Sequence, residues 1–255
     1  MSATDGPHDP ESGAPGVAVV TGSAGGIGGA VSTRLHAMGY EVVGVDLVRT
    51  DGVDHLALSV GLDITDAEAV RDAMSQVVAQ FGRVDVLVNC AGIAHRGSFS
   101  ATTAKEFMLD VETNLLGTFL MCQAAVFPHM EKARRGRLIN IASSSGKTGG
   151  VGPVHRDGSG GRSGPGYASS KAAVINLTRW MAREVGFLNL TCNAIAPGPV
   201  AGVLTDGHAY DVGDIPMQRL ATNEDVAGAV AWLAGADASY VNGTVVDVDG
   251  GLVRA

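Results

Sequence analysis

The sequence predicts a single α/β domain whose parallel sheet is covered by helices on both faces. Short apolar, β-branched runs alternate along the chain with longer segments of helical periodicity, which is typical of that architecture. The 255 residues include 36 glycines but only three cysteines, Cys90, Cys122 and Cys192, which lack CxxC spacing. This pattern excludes a disulfide scaffold and a zinc ribbon and favours a conventional apolar core.

Seven strands and five helices account for most of the chain. The predicted strands span residues 17–21, 41–46, 56–62, 84–89, 137–142, 190–196 and 244–248. The predicted helices span residues 26–38, 66–81, 105–131, 167–186 and 223–234. Thr65 and Glu68 have the spacing of a capping box, which predicts the start of the second helix.

Three stretches depart from this alternation. Residues 47–55 are too few and too poor in helix formers for a crossover helix, so we expect a loop. Residues 146–166 contain nine glycines and predict a long flexible loop. Residues 1–16 offer little to bury and predict a disordered tail before a domain over 17–255.

Composition excludes several classes of function. The chain has 18 Lys and Arg against 26 Asp and Glu, a net charge of −8 that repels nucleic acids and anionic membranes. No apolar run is long enough to span a membrane, and the N-terminus lacks the parts of a signal peptide. We therefore expect a soluble cytoplasmic protein without a nucleic-acid or membrane partner and without a metal site.

A glycine-rich turn follows the first predicted strand. Residues 21–28 read TGSAGGIG and open the first predicted helix. In such a turn Gly22 permits the tight bend, Gly26 lets the backbone approach a pyrophosphate, and Gly28 allows close packing of helix on strand. The helix N-terminus adds amides and a positive dipole. This order predicts a dinucleotide-binding Rossmann fold, with an ordinary glycine-tolerant turn as the alternative.

Asp46 ends the second predicted strand, about 20 residues after the glycine turn. A carboxylate there accepts hydrogen bonds from an adenosine ribose and repels a 2′-phosphate. No basic residue follows at Leu47 or Val48, so the pattern favours NAD over NADP. A solvated carboxylate at the end of a strand is the alternative. A P-loop phosphotransferase is excluded because no GK[ST] follows the glycines.

Tyr167 and Lys171 begin the fourth predicted helix, four residues apart and hence on one face. An ammonium group near a phenol stabilises the phenolate, whose ordinary pKa is about 10. Alone, the spacing is also typical of an amphipathic helix. Ser143, however, follows a predicted strand at the sheet edge where open α/β sheets bind ligands, and a hydroxyl there can hold a substrate oxygen.

Together these motifs resemble the short-chain dehydrogenase/reductase family over nearly all of residues 17–252. The matching pieces are TGSAGGIG, Asp46, Asp63, Asn89-Cys90-Ala91-Gly92, Asn114, Ser143, Tyr167, Lys171, Pro197-Gly198 and Asp249-Gly250-Gly251. The cofactor-binding residues that the resemblance implies are Gly22, Gly25, Gly26, Ile27, Gly28, Asp46, Leu47, Asp63, Ile64, Asn89, Ala91, Gly92, Tyr167, Lys171, Pro197, Gly198 and Val200.

The resemblance also implies catalytic roles. Tyr167 would be the general acid/base, and Ser143 would orient the substrate oxygen, with Ser145 as a second candidate. Lys171 would bind the nicotinamide ribose and lower the pKa of the tyrosine. Asn114 would hold a water molecule of the proton relay.

The implied activity is hydride transfer between NAD(H) and a secondary alcohol or ketone. The resemblance further implies a homotetramer with helices 105–131 and 167–186 at one interface. A 3-oxoacyl-thioester reductase is an alternative, although Asp46 disfavours the NADPH it would more naturally use. A non-catalytic NAD-binding regulatory protein is another, although Ser143, Tyr167 and Lys171 are all present.

Two departures from the family pattern concern the substrate side. Ser143 and Tyr167 are 24 positions apart, further than is usual in the family, and Gly202 stands where a threonine is frequent. The basic residues on the two loops expected near the substrate include His95, Arg96, His155, Arg156 and Arg162. Converging arginines would grip a carboxylate or phosphate, whereas solvated loop charges are the alternative.

Overall fold

The computed structural model describes residues 15–152, 162–202 and 210–253. Its sheet has seven parallel strands in the order β3-β2-β1-β4-β5-β6-β7. The strands are β1 (Val17–Thr21), β2 (Glu41–Asp46), β3 (Leu58–Gly61), β4 (Val86–Asn89), β5 (Gly136–Ile141), β6 (Leu190–Pro197) and β7 (Val245–Val248). The predicted doubly wound Rossmann sheet is confirmed, and its strand order reverses between β1 and β4, where such sheets bind ligands.

Helices cover both faces of the sheet. The helices are α1 (Gly26–Ala37), α2 (Ala67–Phe81), α3 (Ala104–Val111), α4 (Gly117–Ala125), α5 (Glu131–Ala133), α6 (Ser145–Thr148), α7 (Pro165–Val185) and α8 (Asn223–Ala234). Val17 and Val19 of β1 belong to the core that includes α2, α4 and α7, whereas Ala18 and Val20 belong to the core with α1 and α8. Alternate residues thus face opposite layers, which explains why the central strands are apolar throughout.

The single helix predicted over 105–131 is wrong. After α3, residues Glu112–Leu116 form a π-helical turn, and α4 ends at Ala125. Phe127 then has an extended backbone, with φ −111° and ψ 119°. Steric contact with the proline ring disfavours helical angles at the preceding residue, and Pro128 has no N–H to donate, so the helical path breaks here.

The predicted capping box of α2 is also wrong. Asp66 is the N-cap, and its Oδ1 accepts hydrogen bonds from the amides of Glu68 at 3.0 Å and Ala69 at 3.1 Å. Thr65 instead donates its hydroxyl to Asp63 Oδ1 at 2.8 Å. A carboxylate satisfies the free amides of the first turn and also interacts favourably with the helix dipole.

The connections agree only partly with prediction. The loop predicted over 47–55 is present but extends to residue 57, so β3 begins two residues later than predicted. The loop predicted over 146–166 is wrong at both ends, because its first residues belong to α6 and its last to α7. Residues 153–161, together with most of the predicted tail, lie outside the described residues.

Candidate active site

The turn between β1 and α1 places the backbone of the glycine motif at the carboxyl end of the central strand β1. Gly22 has φ +69°, and its amide donates a 2.8 Å hydrogen bond to the carbonyl oxygen of Val45 in β2. A β-carbon at Gly28 would overlap the carbonyl oxygen of Gly22, so α1 packs tightly on the turn. A β-carbon at Gly25 or Gly26 would meet no atom within 4 Å. The N-terminus of α1 therefore faces open space.

A groove of about 660 Å³ lies beside this turn. The predicted cofactor residues that line it are Gly22, Gly25, Gly26, Ile27, Gly28, Asp46, Leu47, Asp63, Ile64, Ala91, Gly92 and Val200. Oδ2 of Asp46 accepts a 3.0 Å hydrogen bond from the amide of Ala24, which holds the carboxylate at the glycine turn. The volume is within the range of about 300–1,000 Å³ that is usual for small-molecule sites.

A smaller cavity of about 120 Å³ contains three of the four predicted catalytic side chains, those of Ser143, Tyr167 and Lys171. Ser143 follows β5, Pro197 ends β6, and Tyr167 and Lys171 lie in the first turns of α7. Gly198 also lines this cavity, which shares four residues with the groove: Ile27, Cys90, Gly92 and Val200. The two spaces therefore adjoin each other at the carboxyl ends of the central strands.

Burial dominates the electrostatics of this cavity. Desolvation raises the pKa of Tyr167, whereas a hydrogen bond with Ser143 lowers it. Nζ of Lys171 lies 5.8 Å from the Tyr167 ring centroid and donates a 2.8 Å hydrogen bond to the carbonyl oxygen of Ile141. Desolvation lowers the pKa of Lys171 to about 8. The prediction that the pKa of Tyr167 is lowered is therefore wrong for the protein alone, because loss of solvation outweighs the opposing interactions.

Asn114 lies beneath the cavity and lines neither space. Its Oδ1 accepts from the amide of Ile93 at 2.9 Å, and its Nδ2 donates to Ile93 O at 2.9 Å and to Ser170 Oγ at 3.0 Å. Its own carbonyl accepts from the hydroxyl of Thr118 at 2.7 Å. Asn114 thus joins the loop after β4 to α7, while its contact with a relay water stays a prediction.

Asn89, predicted to bind cofactor, also lies outside both spaces. It is 3% exposed, and its Nδ2 donates a 2.9 Å hydrogen bond to Oδ1 of Asn140 on β5 and contacts Cys122 Sγ at 3.2 Å. The last side chain of β4 therefore joins two strands within the core. The backbone at Ala91 and Gly92, two and three residues further on, lines the groove instead.

Comparison with known proteins identifies the family. Residues 22–253 match the family profile described as enoyl-(acyl carrier protein) reductase. The chain is 37% identical over 258 residues to human (3R)-3-hydroxyacyl-CoA dehydrogenase, covering 92% of this chain and 95% of that protein. The chain belongs to the short-chain dehydrogenase/reductase family. It is also 33% identical over 252 residues to the 3-oxoacyl-[acyl-carrier-protein] reductase FabG of Staphylococcus aureus, covering 92% and 97%.

Solved structures agree with this family assignment. The crystal structure of gox2181 has a TM-score of 0.84 and 32% identity, covering 94% of this chain and 96% of that chain. The ligand-free aldohexose dehydrogenase of Thermoplasma acidophilum has a TM-score of 0.81 and 28% identity, covering 95% and 96%. This short-chain dehydrogenase/reductase is therefore an oxidoreductase that acts on a CH–OH group and its ketone with a nicotinamide cofactor.

Sequence reasoning did not single out Tyr210, which lies in the smaller cavity of this dehydrogenase. Tyr210 lines the cavity, and its Oη accepts a 2.6 Å hydrogen bond from Nη2 of Arg96. No motif marks Tyr210, and 114 positions separate it from Arg96. Of the other loop cations, Arg162 donates to the carbonyl oxygen of Gly149 at 2.6 Å and lines neither space. His155 and Arg156 lie outside the described residues.

Within residues 15–152, 162–202 and 210–253, no group of three or more His, Cys, Asp and Glu side chains is arranged to hold a metal ion. None of the described helices is both long and apolar enough to cross a membrane.

Proposed function

We propose that this dehydrogenase uses NAD(H) to interconvert a secondary alcohol and its ketone, with Tyr167 as the general acid/base. The observation that carries the proposal is that Ser143, Tyr167 and Lys171 line one cavity, which adjoins a groove containing the glycine turn and Asp46. These are the groups that proton exchange at a hydroxyl and dinucleotide binding require.

The groove residues fit a nicotinamide dinucleotide. The open space at Gly25 and Gly26 exposes the amides and the positive end of α1, where a pyrophosphate would bind. Asp46 would accept hydrogen bonds from the adenosine ribose and would repel a 2′-phosphate. Leu47 and Val48, 72% and 67% exposed beside it, carry no charge to offset that repulsion. This arrangement supports NAD rather than NADP.

The side chains of the smaller cavity would handle the proton. When bound, the nicotinamide supplies the redox partner for the substrate carbon. Ser143 would hold the substrate oxygen, and Tyr167 would take the hydroxyl proton during oxidation and return it during reduction. The hydrogen bond from Ser143 favours the ionised form of Tyr167 against the effect of burial. Lys171 would hold the nicotinamide ribose.

A second candidate is the reduction or oxidation of a 3-oxoacyl or 3-hydroxyacyl thioester. The names of the human and Staphylococcus aureus relatives favour this substrate class. The carboxylate of Asp46 would affect which cofactor binds and not which substrate binds. Both candidate reactions are therefore compatible with NAD.

We further propose a cytoplasmic homotetramer that uses α3, α4 and α7 at one interface. Met108 on α3, Leu116 just before α4 and Trp180 on α7 are between 41% and 58% exposed. Large apolar side chains grouped on neighbouring helices are typical of subunit contacts. Light scattering on the purified protein would give a mass of four chains; a monomer would contradict the interface.

The decisive experiment follows nicotinamide absorbance with NAD⁺ and, separately, NADP⁺. The substrates should include neutral secondary alcohols, hydroxy acids and a 3-hydroxyacyl thioester. We expect turnover with NAD⁺ that falls at least about 100-fold in Tyr167→Phe. The matched control is Tyr240→Phe, because Tyr240 is fully exposed and outside both spaces.

Each other outcome contradicts part of the proposal. Turnover with NADP⁺ alone would refute the role of Asp46. Equal activity of wild type and Tyr167→Phe would refute the tyrosine mechanism. Cofactor binding without turnover of any substrate would support the non-catalytic regulatory alternative.

A further inference from the structure

The mouth of the smaller cavity is formed in part by Arg96 and Tyr210. Besides their 2.6 Å hydrogen bond, the guanidinium carbon of Arg96 lies 5.6 Å from the centroid of the Tyr210 ring. Both residues line the cavity that contains Ser143 and Tyr167. A cation is thus held by a tyrosine beside the expected reacting group.

We propose that Arg96, held by Tyr210, binds a carboxylate of the substrate, so that the substrate class is a short hydroxy acid and its oxo acid. This inference rests on the proposed alcohol–ketone chemistry at Tyr167 and specifies which alcohols enter. A guanidinium has five N–H donors in a planar fork, so Arg96 can keep its contacts with neighbouring groups, Tyr210 among them, while two donors bind a carboxylate.

Charge in the cavity favours an anion. The described residues that line it include the cations Arg96 and Lys171 but no Asp or Glu. The buried carboxylate of Asp110, which contacts His95, also acts on Tyr167 and Lys171, so the charged groups described at this cavity are two cations and one anion. The charge of Arg96 also lowers the pKa of Tyr167, which places the guanidinium within electrostatic reach of the phenol. A substrate carboxylate near Arg96 would therefore lie close to the reacting group.

The backbone that carries Arg96 is fixed by neighbouring elements. The buried carboxylate of Asp110 accepts hydrogen bonds from the amide of His95 at 3.2 Å and from its Nδ1 at 2.9 Å. The carbonyl oxygen of His95 accepts from the amide of Gly164 at 3.0 Å, and Arg96 pairs with Ser163 in an antiparallel bridge. A cation on a fixed segment loses less conformational entropy when it binds a ligand.

Cavity size limits the substrate. The space of about 120 Å³ is well below the lower end, about 300 Å³, of ordinary ligand pockets. Lys171, Pro197 and Gly198, the residues expected to contact the nicotinamide, line the same space, so the substrate has only part of it. A short hydroxy acid has its carboxylate close to its hydroxyl carbon and needs little room. A long acyl chain would have to extend beyond the cavity.

Calorimetric titration of the full protein, with and without NADH, tests the inference. The probes are 3-hydroxybutyrate and its methyl ester, which has the same carbon skeleton plus one methyl group and no charge. We expect Arg96→Gln to weaken binding of the acid about 10- to 100-fold, as loss of a charge-assisted pair does, with less than about a twofold change for the ester. Arg96→Lys should retain part of the acid binding, since it keeps the charge but not the fork.

Two further variants separate recognition from loss of structure. Tyr210→Phe removes only the hydroxyl that holds Arg96 and should weaken acid binding less than Arg96→Gln does. Arg71→Gln, an exposed arginine on α2 outside both spaces, should leave acid binding unchanged. Thermal unfolding of each variant shows that the fold is retained.

Three results would overturn the inference: no binding of the acid to wild type, acid binding unaffected by Arg96→Gln, or equal losses for acid and ester. None of these measurements needs turnover. The proposed function fails separately, if the protein oxidises no neutral alcohol, thioester or hydroxy acid with either cofactor.

Discussion

The backbone amide of Ala24 donates a 3.0 Å hydrogen bond to Oδ2 of Asp46, which joins the glycine turn to the end of β2. Residues that are 22 positions apart thus meet because β1 and β2 are neighbouring parallel strands. The contact orients the carboxylate at one end of the cofactor groove. It therefore fixes, relative to the glycine turn, the carboxylate that we propose selects the cofactor.

Asp46→Asn should weaken the preference for NAD⁺. The amide keeps an oxygen that accepts hydrogen bonds but removes the charge that repels a 2′-phosphate. We expect the ratio of kcat/KM for NAD⁺ to that for NADP⁺ to fall at least about 10-fold, since one tenfold step corresponds to about 1.4 kcal/mol. Initial rates with both cofactors measure the ratio.

Asp63→Asn is the matched control, because Asp63 lines the same groove and its Oδ1 accepts from the amide and hydroxyl of Thr65. A ratio that changes equally in both variants would argue against a special role of Asp46.

Ser143→Ala should move the pH profile of alcohol oxidation. In the proposed mechanism, oxidation needs Tyr167 without its proton, so kcat/KM should rise with pH as this group ionises. The hydrogen bond with Ser143 lowers the pKa of Tyr167, and its removal raises that pKa further. The rise in kcat/KM should therefore shift to higher pH, and kcat should fall about 100-fold, as for loss of one positioned donor.

Ser145→Ala discriminates between the two serine candidates. Oγ of Ser145 lies 2.9 Å from Oγ of Ser163, and the hydroxyl is not among the groups that shift the pKa of Tyr167. The pH profile of Ser145→Ala should match wild type. A shift in this variant and not in Ser143→Ala would reverse the assignment.

Gly28→Ala should destabilise the protein, whereas Gly29→Ala should not. A β-carbon at residue 28 would overlap the carbonyl oxygen of Gly22, and backbone cannot move aside as a flexible side chain can. The expected cost is about 1–3 kcal/mol, as for other overpacked sites. A β-carbon at residue 29 would lie 3.6 Å from the carbonyl oxygen of Ser23, an ordinary contact.

Gly29→Ala should therefore be neutral or stabilising by up to about 1 kcal/mol, because alanine favours a helix more than glycine does. Thermal unfolding of both variants measures the difference. If Gly28→Ala unfolds at the wild-type temperature, the tight packing of α1 on the turn is contradicted.

Local patterns in the sequence predicted much of the fold. The bounds of β1, β2 and α8 agree with prediction at every residue, because apolar runs and helical periodicity depend on neighbours in the chain. The start of α2 was misassigned by one residue, because Thr65 and Asp66 are adjacent and both residue types cap helices. The break at Phe127 was missed, although Pro128 was its visible signal.

The sequence by itself determined the class of fold, the glycine turn and the spacing of Tyr167 and Lys171, since each depends on residues close together in the chain. Only the tertiary structure decided that Arg96 donates a hydrogen bond to Tyr210 and that the pKa of Tyr167 is raised. Both depend on which distant segments pack together and how much water they exclude, and no local pattern carries that information.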